Sequence, residues 1–156
     1  MKKRIFAVVL AVLALTVCLC SCKSEEGKTP ATADVAAAIN NSGEFEELIA
    51  LTEDNISRRY YGIDLEAIEE FEVLVCSSGA MADEIAVFKM KEKDDVEDMR
   101  EVVLERKQEL YDSFVDYVPE EISKIENAII SSNGNYVYFI VCDDRDAAKK
   151  AAEGCF

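Results

Sequence analysis

One amphipathic segment in the second half of the chain constrains its fold more than any other feature. Apolar residues recur there in steps of 3, 4, 7, 4 and 3, the spacing of one face of an α-helix: Val96, Met99, Val103, Leu110, Phe114 and Tyr117. Arg106 and Lys107 lie in the longest step, where their aliphatic stems can still cover apolar surface. Pro119 ends the predicted helix, and Glu120 and Glu121 suit the first turn of a shorter one.

Runs rich in β-branched and aromatic residues lie on both sides of this helix. Residues 71–76 and 85–91 precede it, and residues 127–131 and 136–142 follow it. Asn133-Gly134 joins the last two runs and is a strong signal for a hairpin turn. The final run is the most apolar, so we expect it inside the sheet. This order predicts an α+β fold, with an antiparallel four-stranded sheet and helices packed on one face.

Short helices are predicted at both ends of the domain. Asp34 can cap a first helix over residues 35–39, and a second short helix stops at Gly62. Residues 45–51 form an apolar patch that suits either a helix or a strand. Asp143-Asp144 can cap a last helix near the end of the chain.

The first residues of the chain are typical of an export signal. Three basic residues follow Met1, and an apolar run from Ile5 to Leu19 is interrupted only by Thr16. A membrane-spanning helix needs roughly 20 apolar residues, so this run is short for one. Basic residues, an apolar run and small residues in this order predict a secretory signal peptide over residues 1–21.

The end of the signal fits a lipidation site at Cys22. Leu19-Cys20-Ser21-Cys22 resembles the lipobox of bacterial lipoproteins, in which an apolar residue and two small ones precede the lipidated cysteine. The two earlier cysteines fit less well, because each directly follows a bulky apolar residue. We therefore expect a lipid on the Cys22 thiol, a flexible tether over residues 22–32 and one α+β domain over residues 33–156. The alternative is a secreted protein that is cut nearby and keeps Cys22 free.

The charge balance excludes several classes of function. The chain has 32 acidic and 17 basic residues, a net charge of −15, and no histidine. Removing the three bases of the signal leaves 14 bases against 32 acids, a balance of −18. So acidic a domain is a poor nucleic-acid binder, because phosphate contact needs clustered Lys and Arg. Without histidine there is no His-ligated zinc and no His-dependent serine or cysteine catalysis. We predict no nucleic-acid partner, no metal and no cofactor.

Three cysteines follow Cys22. Cys76, Cys142 and Cys155 form no C-x-x-C pair and have no metal-site spacing. Cys76 and Cys142 lie in apolar strand-like runs, which predicts small buried side chains. A disulfide between these two is the alternative in an oxidising envelope.

Four segments resemble a known family in sequence, order and spacing. They are residues 79–88, 117–121, 126–129 and 134–137. On these motifs the chain is similar to members of domain-of-unknown-function family 4358 over most of its mature length. Members are mostly small lipoproteins of Gram-positive bacteria, which agrees with the separate indication from Cys22. The family has no established activity, so the resemblance implies location and domain extent and no catalytic residue.

The link between the first two predicted strands is the best candidate binding loop. It is longer than a minimal hairpin needs, and it contains Gly79, Met81 and the acid pair Asp83-Glu84. These are the residues we expect at a binding site. The alternative is that Gly79 and the neighbouring alanines meet a packing constraint and that Asp83 caps a turn.

Two other kinds of cluster have a structural and a functional interpretation. The pairs Asp94-Asp95, Glu120-Glu121 and Asp143-Asp144 could bind Ca²⁺ or act in acid–base chemistry, but none has EF-hand spacing and each suits a helix start. Residues 57–62 read Ser-Arg-Arg-Tyr-Tyr-Gly and could hold an anionic or glycan ligand by charge and stacking. The structural alternative is cations at a helix C-terminus with one tyrosine packed inward.

The sequence favours a non-catalytic protein of the cell envelope. No Gly-x-Ser-x-Gly elbow is present, and catalysis has little support. We expect a lipoprotein at the outer face of the cytoplasmic membrane, held in lipid through acylated Cys22, whose domain binds a protein or envelope component. An envelope hydrolase using paired carboxylates is the first alternative. A small solute-binding component of a transporter is the second, for which the mature chain is short.

Overall fold

The computed structural model describes residues 29–156. Its helices and strands are α1 Thr32–Asn40, β1 Leu48–Ala50, α2 Glu53–Arg59, β2 Ile68–Cys76, β3 Glu84–Met90, α3 Val96–Phe114, α4 Ile122–Glu126, β4 Ile129–Asn133, β5 Tyr136–Val141 and α5 Arg145–Glu153. Short 3₁₀ turns precede β2, α3 and α4. None of the helices in this range is long and apolar enough to cross a membrane. The predicted signal peptide and Cys22 lie outside the described residues.

The strands form one open antiparallel sheet, and the prediction of four strands was wrong. Within the described residues the sheet has five strands in the order β1-β2-β3-β5-β4. The additional strand is β1, Leu48–Ala50, which pairs with the end of β2. It lies in the apolar patch that suited either a helix or a strand. Three residues are too few to show a period of two, so the patch alone could not separate the alternatives.

Helices cover both faces of this sheet, and the prediction of one covered face was also wrong. On the first face, α2, α3 and α4 pack against alternate β3 residues, including Ala86 and Phe88. On the second face, α1 and α5 pack against the other β3 residues, Ile85 and Val87, which alternate along the strand with those of the first face. A strand that is buried on both faces is apolar at every position instead of at every second one. The continuous apolar runs of β3 and β5 have this cause.

The long helix α3 forms where its pattern predicts. Its residues Met99, Val103, Leu110 and Phe114 are buried against the first face. Pro119 occupies the first position of the next 3₁₀ turn, as its fixed φ favours. Tyr117 lies beyond the end of α3 and is exposed, so it is not part of the packed stripe.

Several turn and cap predictions are confirmed. Gly134 has a φ of +59° in the β4–β5 hairpin, and Gly62 has a φ of +79° just after α2. Both values lie in the left-handed region that glycine tolerates best. Asp144 caps α5, because its Oδ1 accepts the backbone N–H of Ala147 at 3.1 Å.

The N-terminal helix begins earlier than the sequence suggested. Helix α1 starts at buried Thr32, and Asp34 lies inside its first turn without capping it. The Tyr136 hydroxyl donates to the Pro30 carbonyl at 2.8 Å. The folded region therefore includes the last residues of the segment that we assigned to the tether.

Candidate functional site

The β2–β3 loop has an exposed tip and a buried base. Residues 77–80 are exposed, and open space surrounds the position of a Cβ on Gly79. Met81 is half-buried. Asp83 and Glu84 are only 2% and 1% exposed. Of the four residues that we predicted for the binding loop, Gly79 faces solvent, and the two acids lie inside the protein.

Glu84 is neutralised by a buried arginine. It opens β3 on the first face, in register with Val75 and Val141, so a carboxylate stands in an apolar row. The Nη2 and Nε atoms of Arg106 donate to its Oε2 and Oε1 at 2.7 and 3.3 Å. The Tyr60 hydroxyl donates to Oε1 at 2.5 Å. Both carboxylate oxygens are thus satisfied in the interior, as a buried charge requires.

The helices α2 and α3 bring these two partners to Glu84. Tyr60 directly follows α2 and is fully buried, with its ring edge-on to Phe88 at 5.3 Å. Burial, reinforced by the charge of Glu84, holds the Tyr60 pKa well above its usual range. Burial alone would lower the pKa of Arg106, but the charge of Glu84, the hydrogen bonds to it and the nearby Tyr60 and Glu109 together outweigh this effect, so the pKa is raised. The phenol therefore stays neutral and the guanidinium stays charged.

Asp83 belongs to a second buried cluster, centred on Lys124. The Lys124 ammonium lies 3.0 Å from Asp83 Oδ2, 3.0 Å from Glu121 Oε2 and 3.2 Å from Asp143 Oδ2. Glu121 also accepts the backbone N–H of Ala82 at 2.9 Å. One lysine on α4 thereby ties the base of the loop to the turn before α4 and to the segment after β5.

The second cluster is less completely satisfied than the first. Asp83 Oδ1 is buried and has no hydrogen-bond partner within residues 29–156. Burial raises the pKa of Asp83, even though Lys124 opposes the shift. Burial, followed by the charge of Asp83, raises the pKa of Cys142 to about 11, so this thiol stays protonated. Cys76 and Cys142 are not joined by a disulfide.

The predicted acid pairs do lie at helix starts. Asp94-Asp95 immediately precedes α3, Glu120-Glu121 precedes α4, and Asp143-Asp144 precedes α5. Two of their members, Glu121 and Asp143, also contact Lys124, which the sequence did not indicate. Among the described residues no group of three or more Cys, Asp or Glu side chains is placed to hold a metal ion.

The basic-aromatic segment, residues 57–62, divides between the interior and the surface. Tyr60 points into the core, whereas Tyr61 is 75% exposed. Arg58 and Arg59 end α2 and line an open groove beside α3. The inward tyrosine and the cations at a helix C-terminus match the structural interpretation of this segment.

Sequence reasoning missed Arg106 and Lys124 as partners of the loop acids. Arg106 follows Val103 by three residues and precedes Leu110 by four, so it occupies the apolar face of α3. Lys124 lies between Ile122 and Ile125 in the short helix α4. A charge at an apolar position is a signal for a buried ion pair, but it does not identify the partner.

The fold and these clusters define a class of protein domain: an α+β domain whose antiparallel sheet is covered on both faces and whose β2–β3 loop is fixed by buried ion pairs. The chain belongs to the family described as domain of unknown function (DUF4358), whose family model matches residues 41–142. The match runs from just after α1 to just after β5 and includes Tyr60, Arg106 and Lys124, which contact the two loop acids. Neither a curated protein nor a solved structure matches the chain.

Proposed function

We propose that this chain is a lipid-anchored extracytoplasmic protein whose domain is a non-catalytic binding module. Lys2, Lys3 and Arg4, the apolar run after them and Cys22 in a lipobox-like context support the anchor. The module binds a protein or another component of the cell envelope. It is held at the outer face of the cytoplasmic membrane through acylated Cys22.

One observation carries the non-catalytic part of this proposal: the acids of the candidate loop are buried and paired. Asp83 contacts Lys124 and Glu84 contacts Arg106, and each acid is almost fully shielded from solvent. A hydrolase with paired carboxylates needs both acids to face the substrate. This pair instead anchors the loop, which argues against the hydrolase alternative at this position.

The exposed tip of the β2–β3 loop is the binding surface that we propose. Residues 77–80 project from a base that is fixed to α3 by Glu84 and to α4 by Asp83. Anchoring on rigid elements lowers the entropy that a loop loses when it binds a partner. A tip with small side chains on a fixed base fits the binding of a protein surface better than the enclosure of a small solute.

The anchor predicts a lipid on one residue. Mass spectrometry of the membrane fraction should find Cys22 as the N-terminal residue, carrying diacylglycerol through a thioether. Cys22→Ser should abolish this modification, because serine has no thiol to form the thioether, and should weaken membrane retention, because the strongly acidic protein is repelled by anionic lipid. Cys20→Ser, a matched change two residues earlier, should leave mature Cys22 lipidated. A mature wild-type protein that carries no lipid on Cys22 would refute the anchor.

The loop predicts contact with a partner at its tip. A photo-reactive amino acid in place of Ala80 should give a discrete cross-linked species in living cells. The same amino acid at Ser132 is the matched control, because Ser132 is exposed in the other hairpin, towards the opposite end of the sheet. Equal cross-linking from both positions, or none from Ala80, would count against the loop as the binding surface.

A further inference from the structure

An open groove separates α2 from α3 on the first face of the sheet. Its volume is about 490 Å³, and it is lined by Leu51, Asn55, Arg58, Arg59, Arg106 and Glu109. Asn55, Arg58 and Arg59 are spaced i, i+3 and i+4, so they share one face of α2. Different residues form the β2–β3 loop, so the groove is a separate surface.

The charge of this groove is opposite to that of the protein. The chain carries a net charge of −15, yet three of the five arginines in residues 29–156 line this one groove. Glu109 is the one acid among the lining residues, and Glu84 lies buried behind Arg106. With these two acids counted against the three arginines, the groove keeps a positive balance in an acidic domain.

The guanidinium groups of the groove differ in how much of their hydrogen-bonding capacity is used. Arg106 is committed to Glu84 and lies 3.7 Å from Glu109. Arg59 is 39% exposed, and its Nη1 is 3.9 Å from Glu84 Oε2, the outer limit of an ion pair. Arg58 is exposed and makes no ion pair or hydrogen bond with another side chain in the described range. Two arginine forks and the Asn55 amide are therefore available to a ligand.

We infer that this groove binds a phosphate group. Arginine forks donate paired hydrogen bonds to phosphate oxygens, and no protein carboxylate lies within hydrogen-bonding distance of the Arg58 or Arg59 guanidinium in the described residues. Arg106, whose charge is balanced by Glu84, also lines the groove. The groove is open along one side, so the phosphate can belong to a soluble molecule or to the headgroup of an anionic lipid.

Calorimetric titration of the full chain with inorganic phosphate tests this site. Wild-type protein should bind phosphate saturably at one site, and the double variant Arg58→Gln/Arg59→Gln should bind at least about tenfold more weakly, because it loses two charged hydrogen-bond donors. Arg145→Gln is the matched control, since it removes an exposed arginine from α5 and should leave the affinity unchanged. Arg58→Lys, which keeps the charge but loses the fork, should fall between wild type and the double variant.

Reconstitution of the full chain in vesicles separates the two sources of phosphate. If a lipid headgroup occupies the groove, the wild-type protein should bind inorganic phosphate more weakly in vesicles with phosphatidic acid than in phosphatidylcholine vesicles. The Arg145→Gln control should show the same difference as the wild type. If the ligand is soluble, the two vesicle compositions should give the same affinity. Absence of saturable binding, or equal binding by wild type and the double variant, would overturn the site and would leave the proposed loop function untouched.

Discussion

Glu84→Gln should lower the free energy of unfolding by about 3–5 kcal/mol, because it strands a buried arginine without its counter-charge. Arg106 is almost fully buried, and Glu84 is the partner that both of its closest hydrogen bonds reach. The amide keeps the size of the carboxylate and can still accept from Tyr60, so the loss measures charge more than shape. The free energy of unfolding of a typical domain is about 5–15 kcal/mol, so this loss is a large part of it. Urea denaturation followed by circular dichroism should show the loss.

Two further variants make this result specific. Glu109→Gln changes the other acid that contacts Arg106, and it should cost less than about 1 kcal/mol because that contact is long and exposed. Glu84→Leu with Arg106→Met removes the whole pair, and this double variant should be more stable than Glu84→Gln, since no buried charge is left alone. A Glu84→Gln protein as stable as Glu109→Gln would show that Arg106 reaches water or another acid.

The parts of the fold that the sequence predicted are those with a local signal. The stripe of α3, the Asn133-Gly134 turn and the Asp144 cap each depend on residues a few positions apart. Strand β1 has no such signal, because three residues gain their strand conformation from pairing with β2. The sequence did contain a signal for the second covered face. The unbroken apolar runs of β3 and β5 are typical of strands that are buried on both faces, whereas strands of a sheet covered on one face alternate between apolar and polar residues.

In the candidate site, too, the features with a local signal were predicted and the long-range contacts were not. The sequence indicated a loop with a glycine, a methionine and two acids, and the structure places the two acids inside. Glu84 and Arg106 are 22 residues apart, and Asp83 and Lys124 are 41 residues apart. Local spacing cannot show such pairings, because they depend on how helices pack across the sheet. The usable signal was the position of each charge within an apolar pattern, as Arg106 on the apolar face of α3 illustrates.

Lys124→Met should lower the free energy of unfolding at neutral pH by about 3–5 kcal/mol. Lys124 is the cation that Asp83, Glu121 and Asp143 share, and the first two of these acids are buried. Methionine fills a similar volume and supplies no charge, so two carboxylates remain in the interior without a counter-ion. Lys149→Met is the matched control: that lysine is exposed on α5 and contacts Glu153 at 3.8 Å, so its loss should cost less than about 1 kcal/mol.

The pH dependence of the stability of Lys124→Met distinguishes the effect of buried carboxylates without a counter-ion from the effect of lost packing. Burial already raises the pKa of Asp83 with Lys124 present, and removing the cation raises it further. A carboxyl group whose pKa is higher in the folded state than in the unfolded chain stabilises the fold when it is protonated. This stabilisation is fully present below the unfolded-state pKa and is lost as the pH rises through the folded-state pKa. The deficit of Lys124→Met relative to wild type should therefore be largest at neutral pH and shrink in acid. A deficit that is constant with pH would mean that the lysine stem, and not its charge, stabilises the base of the loop.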